Sequence, residues 1–436
     1  MKTLIEQFNR QDTTLVISDY PEYSQKGEKN HGIAWYTKEF IEPIAKNYKA
    51  RFVVLAQKGI DNEPKLYKNK HILILRVFDH GRVVLFPRIL KWLLKFNYIE
   101  NVHVHSEFCA NGSLRNEVLL IPFLFLIKLA KKNITYFAHN VITDIYPFIS
   151  HIGIPKNPVL IRILNFSLQY YYKTLGLAVD RFVVMDKVVY KRLSTFIDPQ
   201  KIIYSPFWIR ERKFSLGKFR ARAKLGIAQK DFVILCFGFV TQYKGSDWIV
   251  DAVKKLRKKP TFTNIRLILA GGKSFSLQNK KQYQLYYKNL ENKIKKEDKI
   301  EITGFVTEKK IPLYFKAADI VVLPYRGLMG GSASLIQAIS FHKPFIISNK
   351  MKGVVKTNGI NPSSFVFAHN LASFTSVLTK VRNEKTRKKL EKFSRQLAKN
   401  YHIKKLLPEA YSKLFVQNKY SISILKHPLP QFTYKT

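Results

Sequence analysis

The fold is decided by residues 319–348, which run Asp319-Ile-Val-Val-Leu-Pro324-Tyr325-Arg326, then Gly330-Gly331-Ser332-Ala333-Ser334, then Leu335-Ile-Gln337-Ala338-Ile339, and finally His342-Lys-Pro344 into Phe345-Ile-Ile-Ser348. An apolar run closed by Pro324 reads as a strand buried on both faces, and Leu335, Ala338, Ile339 and His342 follow a helical spacing. The order is therefore strand, loop, helix, strand. The loop of small residues lets backbone N–H groups face a ligand, and the helix that starts there adds its positive end, an arrangement suited to phosphate. The same residues also read as a capping box, with Ser334 accepting from the third amide and Gln337 reaching back.

Outward from this stretch the pattern repeats. Phe232 to Phe237, Ile265 to Ala270 and Ile300 to Ile302 read as strands, each followed by a glycine-bearing loop: Gly238 to Gly245, Gly271-Gly272, and Gly304-Phe305-Val306. The first half has the same rhythm in Leu15 to Asp19, Arg51 to Leu55, Ile72 to Arg76, Val102 to Ser106, Ile134 to Ala138, Arg181 to Met185 and Lys201 to Tyr204. A period of about 30 to 40 residues is that of parallel βα units. The chain of 436 residues is too long for one core. We expect an α/β protein of two doubly wound, Rossmann-like domains facing a crevice: residues 1–207, residues 208–385, and closing helices in 386–436 that return toward the first domain.

Charge is the outlying property, with a formal net +45 that lies mostly in the second half, in helices such as Lys254 to Lys259, Lys293 to Lys299 and Lys380 to Lys399. Such runs read as solvated helix faces or as a surface for anionic lipid, nucleic acid or acidic polymer. From Arg82 to Phe96, basic and apolar residues alternate so that Arg88, Lys91 and Lys95 share one side of a helix, a pattern for a membrane surface or for a sheet-covering helix with snorkelling lysines. No apolar run is long enough to span a bilayer; Val118 to Ile127 reads as a buried or interfacial helix. The start, Met1 to Thr14, carries no signal-peptide pattern, and Cys109 and Cys236 form neither a disulfide framework nor a metal motif. These features fit a cytoplasmic protein, peripheral to the inner face of the membrane.

Candidate site residues follow from loop position. Lys244 lies six residues after Gly238 and can reach into the crevice as a point charge. His139 and Asn140 lie just past a strand end, where open α/β sheets bind ligands, though a structural role for the imidazole fits as well. Gly32 sits at the mouth of the first βα unit.

Taken together, Phe237-Gly238…Tyr243-Lys244-Gly245, Leu267-Ile-Leu-Ala-Gly271-Gly272, Thr303-Gly-Phe305-Val306 and Tyr314 to Pro324 resemble the donor-binding half of the retaining family 4 glycosyltransferases, the glycosyl transferases group 1 family, which have the GT-B fold. The resemblance covers residues 230 to 350; in the first half it is confined to strand order, Gly32 and Ala138-His139-Asn140. It implies transfer from a nucleotide-diphosphate sugar, with retention and with neither cofactor nor metal, to a glycan, lipid-linked or small-molecule acceptor. On it, Gly32, Gly238, Lys244, Gly245, Gly271, Gly272, Phe305, Val306, Arg326, Gly330, Gly331, Ser332, Ala333, Ser334 and Gln337 would hold the donor, and His139 and Lys244 would serve the reaction. The sequence differs from the family pattern at Phe239, where an Arg is usual, and at Met329 and Gln337, where two Glu are usual. A nucleic-acid-binding protein, or a catalytically silent subunit on the same scaffold, is the alternative that these differences and the charge leave open.

Overall fold

A computed structural model describes residues 2–416 except 25–26, 29–31, 60, 67–69, 81, 109–113, 150–153, 213, 276 and 356–359; Cys109 and the tail after Lys419 lie outside the described residues. Every apolar run read above as a strand forms one. In the first sheet the order is Ile202–Tyr204, Arg181–Val184, Asn133–Ala138, Asn101–Ser106, Thr13–Ile17, Arg51–Gln57, Ile72–Phe78 and the short antiparallel edge Lys65–Leu66. In the second it is Ile300–Ile302, Ile265–Ala270, Phe232–Phe237, Ile320–Leu323, Phe345–Ser348 and Val366–Phe367, all parallel. In both sheets the first strand lies between the second and the fourth of the parallel set. The chain thus reverses its direction of growth there, and a crevice opens outside the carboxyl ends at that point.

Alternation along the strands sends side chains to both faces. Leu15, Ile17, Val53 and Leu55 pack toward the helices Leu85–Lys95, Leu114–Leu129 and Pro158–Ala178. Val16, Phe52, Val54 and Ile74 pack toward Gly32–Tyr48 and the late helix Ile403–Tyr411. The closing segment is divided: Glu384–Asn400 contributes Leu390, Phe393 and Leu397 to the second core, whereas Ile403–Tyr411 contributes Leu407 and Ala410 to the first. The chain crosses between the halves near Ile209, and again near His402. The two crossings are bonded to each other, Ile209 N to Tyr401 O at 2.7 Å and Ile403 N to Ile209 O at 3.1 Å.

The helix of the opening stretch is Ala333–Ser340, shorter than its spacing predicted. His342 does not continue it: its φ of 54° is left-handed, and Lys343 N bonds to Ala338 O at 2.8 Å, closing the helix so that Pro344 can lead into the next strand. The strand before it starts at a buried anchor. Asp319 accepts from Arg222 Nη2 at 2.6 Å and from Val233 N at 2.7 Å, and also pairs with Lys218.

Burial alone would raise the Asp319 pKa; the Lys218 bond, the Val233 amide and Arg222 outweigh it and hold the carboxyl below its ordinary value. The anchor's contribution is therefore present above the unfolded-state pKa and is lost as pH falls through the lower folded value. Asp319→Ala leaves the buried Arg222 unpaired and is expected to cost about 3–5 kcal/mol, read as a lowered denaturant midpoint at neutral pH.

Candidate functional site

Three loops meet at the carboxyl edge of the second sheet, and their glycines are set by contact. Gly238 has φ of 104°, and a Cβ there would lie 3.0 Å from Lys244 Nζ and 3.1 Å from Ser334 Oγ. Gly245 has φ of 76° and comes so close to Pro324 that a Cβ would lie 2.1 Å from its carbonyl oxygen. A Cβ on Gly271 would meet Gly238 O at 2.1 Å, and one on Gly272 would meet Phe305 N at 2.9 Å. Backbone therefore packs on backbone along this edge, with Lys244 and Ser334 converging beside Gly238.

The small-residue loop is ordered by hydroxyls. Ser332, not Ser334, is the N-cap, accepting from Leu335 N at 3.3 Å. Ser334 sits two residues further on and donates to Phe237 O at 2.6 Å, which ties the helix start to the first strand. With Ser332 as the cap and Ser334 inside the helix, the capping box expected from Ser334 and Gln337 does not form; Tyr325 OH lies 3.1 Å from Ser332 Oγ and 3.4 Å from Ser334 Oγ. Gln337 lies inside the helix, buried, and its Oε1 has no hydrogen-bond partner among the described residues. An amide oxygen so placed accepts from a hydroxyl but carries no charge.

Arg326 is taken up in bracing the first of these loops. Its Nη1 and Nη2 make a bidentate pair with Asp247 Oδ1 and Oδ2, both 2.7 Å, and Nη1 also donates to Gln242 O. Ala333 opens the helix, Phe305 is 41% exposed, and Val306 is buried in the second core. Phe239, Phe275 and Phe305 form an aromatic row, with ring centroids 5.3 Å and 5.6 Å apart in turn.

The first domain reaches this edge directly. Gly330 pairs with Asn140 in an antiparallel bridge, and a Cβ on Gly330 would lie 1.9 Å from His139 O. Val141 N donates to Met329 O at 3.2 Å, and the Met329 side chain packs against the first core. Arg192, which sequence reasoning passed over, donates to Val141 O at 3.0 Å and to Leu328 O at 2.6 Å. A Cβ on Gly331 would lie 2.3 Å from the Phe207 ring. Each such hydrogen bond contributes about 1 kcal/mol net, so the crevice is closed by a few weak bonds and by the missing side chain at residue 330.

His139 stands edge-on to Tyr36, centroids 4.8 Å apart, with His105 at 5.6 Å. His105 is fully enclosed, stacked on Phe137, and burial pushes its pKa well below the ordinary imidazole value, so it stays neutral. Gly32 opens its helix with free space where a Cβ would be, so packing does not demand glycine there. Of the basic trio on Leu85–Lys95, Arg88 pairs with Asp79 at 2.7 Å, Lys95 lies 4.5 Å over the Trp92 ring, and Lys91 is exposed.

Two doubly wound parallel sheets facing a crevice across their switch points define the GT-B fold. Within it, residues 217–398 match the family model described as Glycosyl transferases group 1. YtcC of Bacillus subtilis (strain 168) is 26% identical over 224 residues, 47% of this chain and 53% of that protein, so the chain spans about half the length of the curated relative it matches. Among solved structures, Anabaena HepE in complex with UDP-glucose superposes with a TM-score of 0.65 at 13% identity, covering 92% of this chain and 99% of that one. A glycosyltransferase from Rickettsia africae ESF-5 gives 0.65 at 16% identity, over 94% and 100%. Sucrose-phosphate synthase from Thermosynechococcus elongatus gives 0.68 at 13%, over 93% and 99%.

Gly330→Ala tests the closure. The added methyl cannot coexist with the His139 carbonyl, so the variant is expected to keep its fold yet scatter X-rays in solution as a more open particle, with a larger radius of gyration than the parent.

Proposed function

We propose that the chain is a glycosyltransferase that moves a sugar from a nucleotide-diphosphate donor, of the retaining family 4 type and without a bound metal, to a glycan or lipid-linked acceptor. The observation that carries this reading is the meeting of Lys244, the Ser334 hydroxyl and the start of the helix Ala333–Ser340 beside Gly238, on the loop whose Gly330 meets His139 and Asn140 of the first domain. A cation and a helix end aimed at one place stabilise a departing diphosphate as its charge develops. The solved HepE complexes with UDP and with UDP-glucose support a uridine nucleotide as the first donor to try.

In this reading the donor lies on the second domain. Lys244 and the amides of Gly330 to Ser334 hold the diphosphate, Gln337 Oε1 accepts from a sugar or ribose hydroxyl, and the aromatic row ending in Phe305 flanks the base. Arg326, held by Asp247, keeps the Gln242–Lys244 turn in place rather than touching phosphate. His139 meets the transferred sugar or the acceptor from the first domain. The protein works in the cytoplasm, beside the membrane.

Lys244→Ala is expected to lower kcat/KM about 100-fold or more and to abolish thermal protection by UDP, since it removes the cation on the leaving group. Unchanged protection and turnover would show that the donor site is elsewhere. The anomeric configuration of the product, followed by NMR with and without a chelator, tests retention and metal independence. Binding to nucleic acid that falls steeply with salt, with no response to any nucleotide sugar, would favour the nucleic-acid alternative instead.

A further inference from the structure

The helices on one face of the first sheet have an unusual outer side. Leu85–Lys95 and Pro158–Ala178 contain no acidic residue, and the one acid of Leu114–Leu129, Glu117, is 1% exposed. On Pro158–Ala178 the exposed positions Val159, Ile163, Phe166, Tyr170 and Leu177 recur at helical spacing, where a solvated helix would carry polar side chains. On Leu114–Leu129, Val118 is 67% and Leu129 79% exposed.

The two stripes lie side by side. Lys128 Nζ on one helix donates to Leu177 O of the other at 3.2 Å, and Tyr171 OH bonds to Glu117 at 3.3 Å. Arg115, Lys131, Arg162 and Lys173 are exposed on or next to the same helices. Adjacent exposed apolar stripes exceed the scattered apolar residues of an ordinary surface. No helix among the described residues is long and apolar enough to cross a membrane.

We infer that this face, formed by Leu114–Leu129 and Pro158–Ala178, docks the protein on an anionic lipid surface. Large apolar side chains flanked by Arg115, Lys131, Arg162 and Lys173, with no exposed acid on either helix and with two acids beside them, Asp180 paired to Lys128 and Asp144 bonded to Asn165, match the boundary between acyl chains and negatively charged headgroups. The contact thereby moves away from the basic side of Leu85–Lys95, whose Arg88 is paired with Asp79 and whose Ile89 and Leu93 are buried in the core. The face also adjoins the crevice: Asn165 on the long helix accepts from Ile145 N at 2.8 Å, and Phe148, three residues on, lies against Gly327. On the transferase reading, from which docking itself is independent, an acceptor with a lipid tail would meet the crevice without leaving the bilayer.

The test is flotation of the full-length protein with phosphatidylcholine vesicles, with and without phosphatidylglycerol. The parent is expected to float with the anionic vesicles and to stay behind with the neutral ones. Ile163→Asp/Phe166→Asp should lower partition at least about tenfold by removing inserted side chains, and Arg162→Glu/Lys173→Glu should do so by removing headgroup attraction. Should the first pair disturb folding, as read by its melting curve, the second pair, at exposed charged positions, carries the test. A parent that ignores anionic vesicles, or variants that float equally well, would overturn the inference. So would a parent that is a dimer in solution, split by Ile163→Asp/Phe166→Asp without any vesicle binding, since the face would then belong to a second copy. Flotation needs no turnover, so its failure is separate from failure of the transferase reading.

Discussion

The two halves can meet because residue 330 has no side chain. A methyl there would sit inside bonding distance of the His139 carbonyl oxygen, so the approach is available to glycine alone. The same short segment, from Leu328 to Ser334, gives carbonyls to Arg192 and Val141 on one side and hydroxyl contacts to Tyr325 and Phe237 on the other. The loop proposed to receive the donor is therefore also the loop by which the second domain senses the first. Neither role can be changed by altering this backbone without changing the other.

In a chain of net charge +45, the useful question is where cations are consumed. At the crevice, Arg326 is spent on a two-pronged bond to Asp247, and Arg192 on main-chain carbonyls. Among the described residues Lys244 makes no ion pair; it stands half-buried beside Gly238, with its Nζ 6.0 Å from the centroid of the Tyr325 ring. Planar guanidinium suits rigid bracing, and a flexible ammonium suits a group whose charge changes during a reaction. Phe239, where relatives of the proposed kind carry arginine, leaves Lys244 without a cationic neighbour in its own loop and extends the aromatic row instead.

The parts legible in the sequence are those that depend on neighbours in the chain. Strands buried on both faces must be continuous apolar runs, so Ile320–Leu323 and Phe232–Phe237 were plain. Gly238 and Gly245 marked turns because their backbone needs left-handed φ. What failed depends on distant partners or on fine backbone geometry. Arg326 looked available until Asp247, 79 residues away, closed on it. Ser332 and Ser334 are equally good caps by type, and only the phase of the helix start selects between them. The helix Pro158–Ala178 announces itself by Asn157-Pro158 but escaped notice, because its outer side is as apolar as its inner one and periodicity is blurred.

The paired crossings at Ile209 and His402 have a mechanical consequence. Two strands of chain bonded side by side form a spine, and bodies joined along a spine move as the covers of a book do. Opening the crevice is then a rotation about one line, in which residues near the spine keep their neighbours while those at the far margin exchange theirs for water. The late return of the chain to the first domain converts what would be a tether into a single-axis joint.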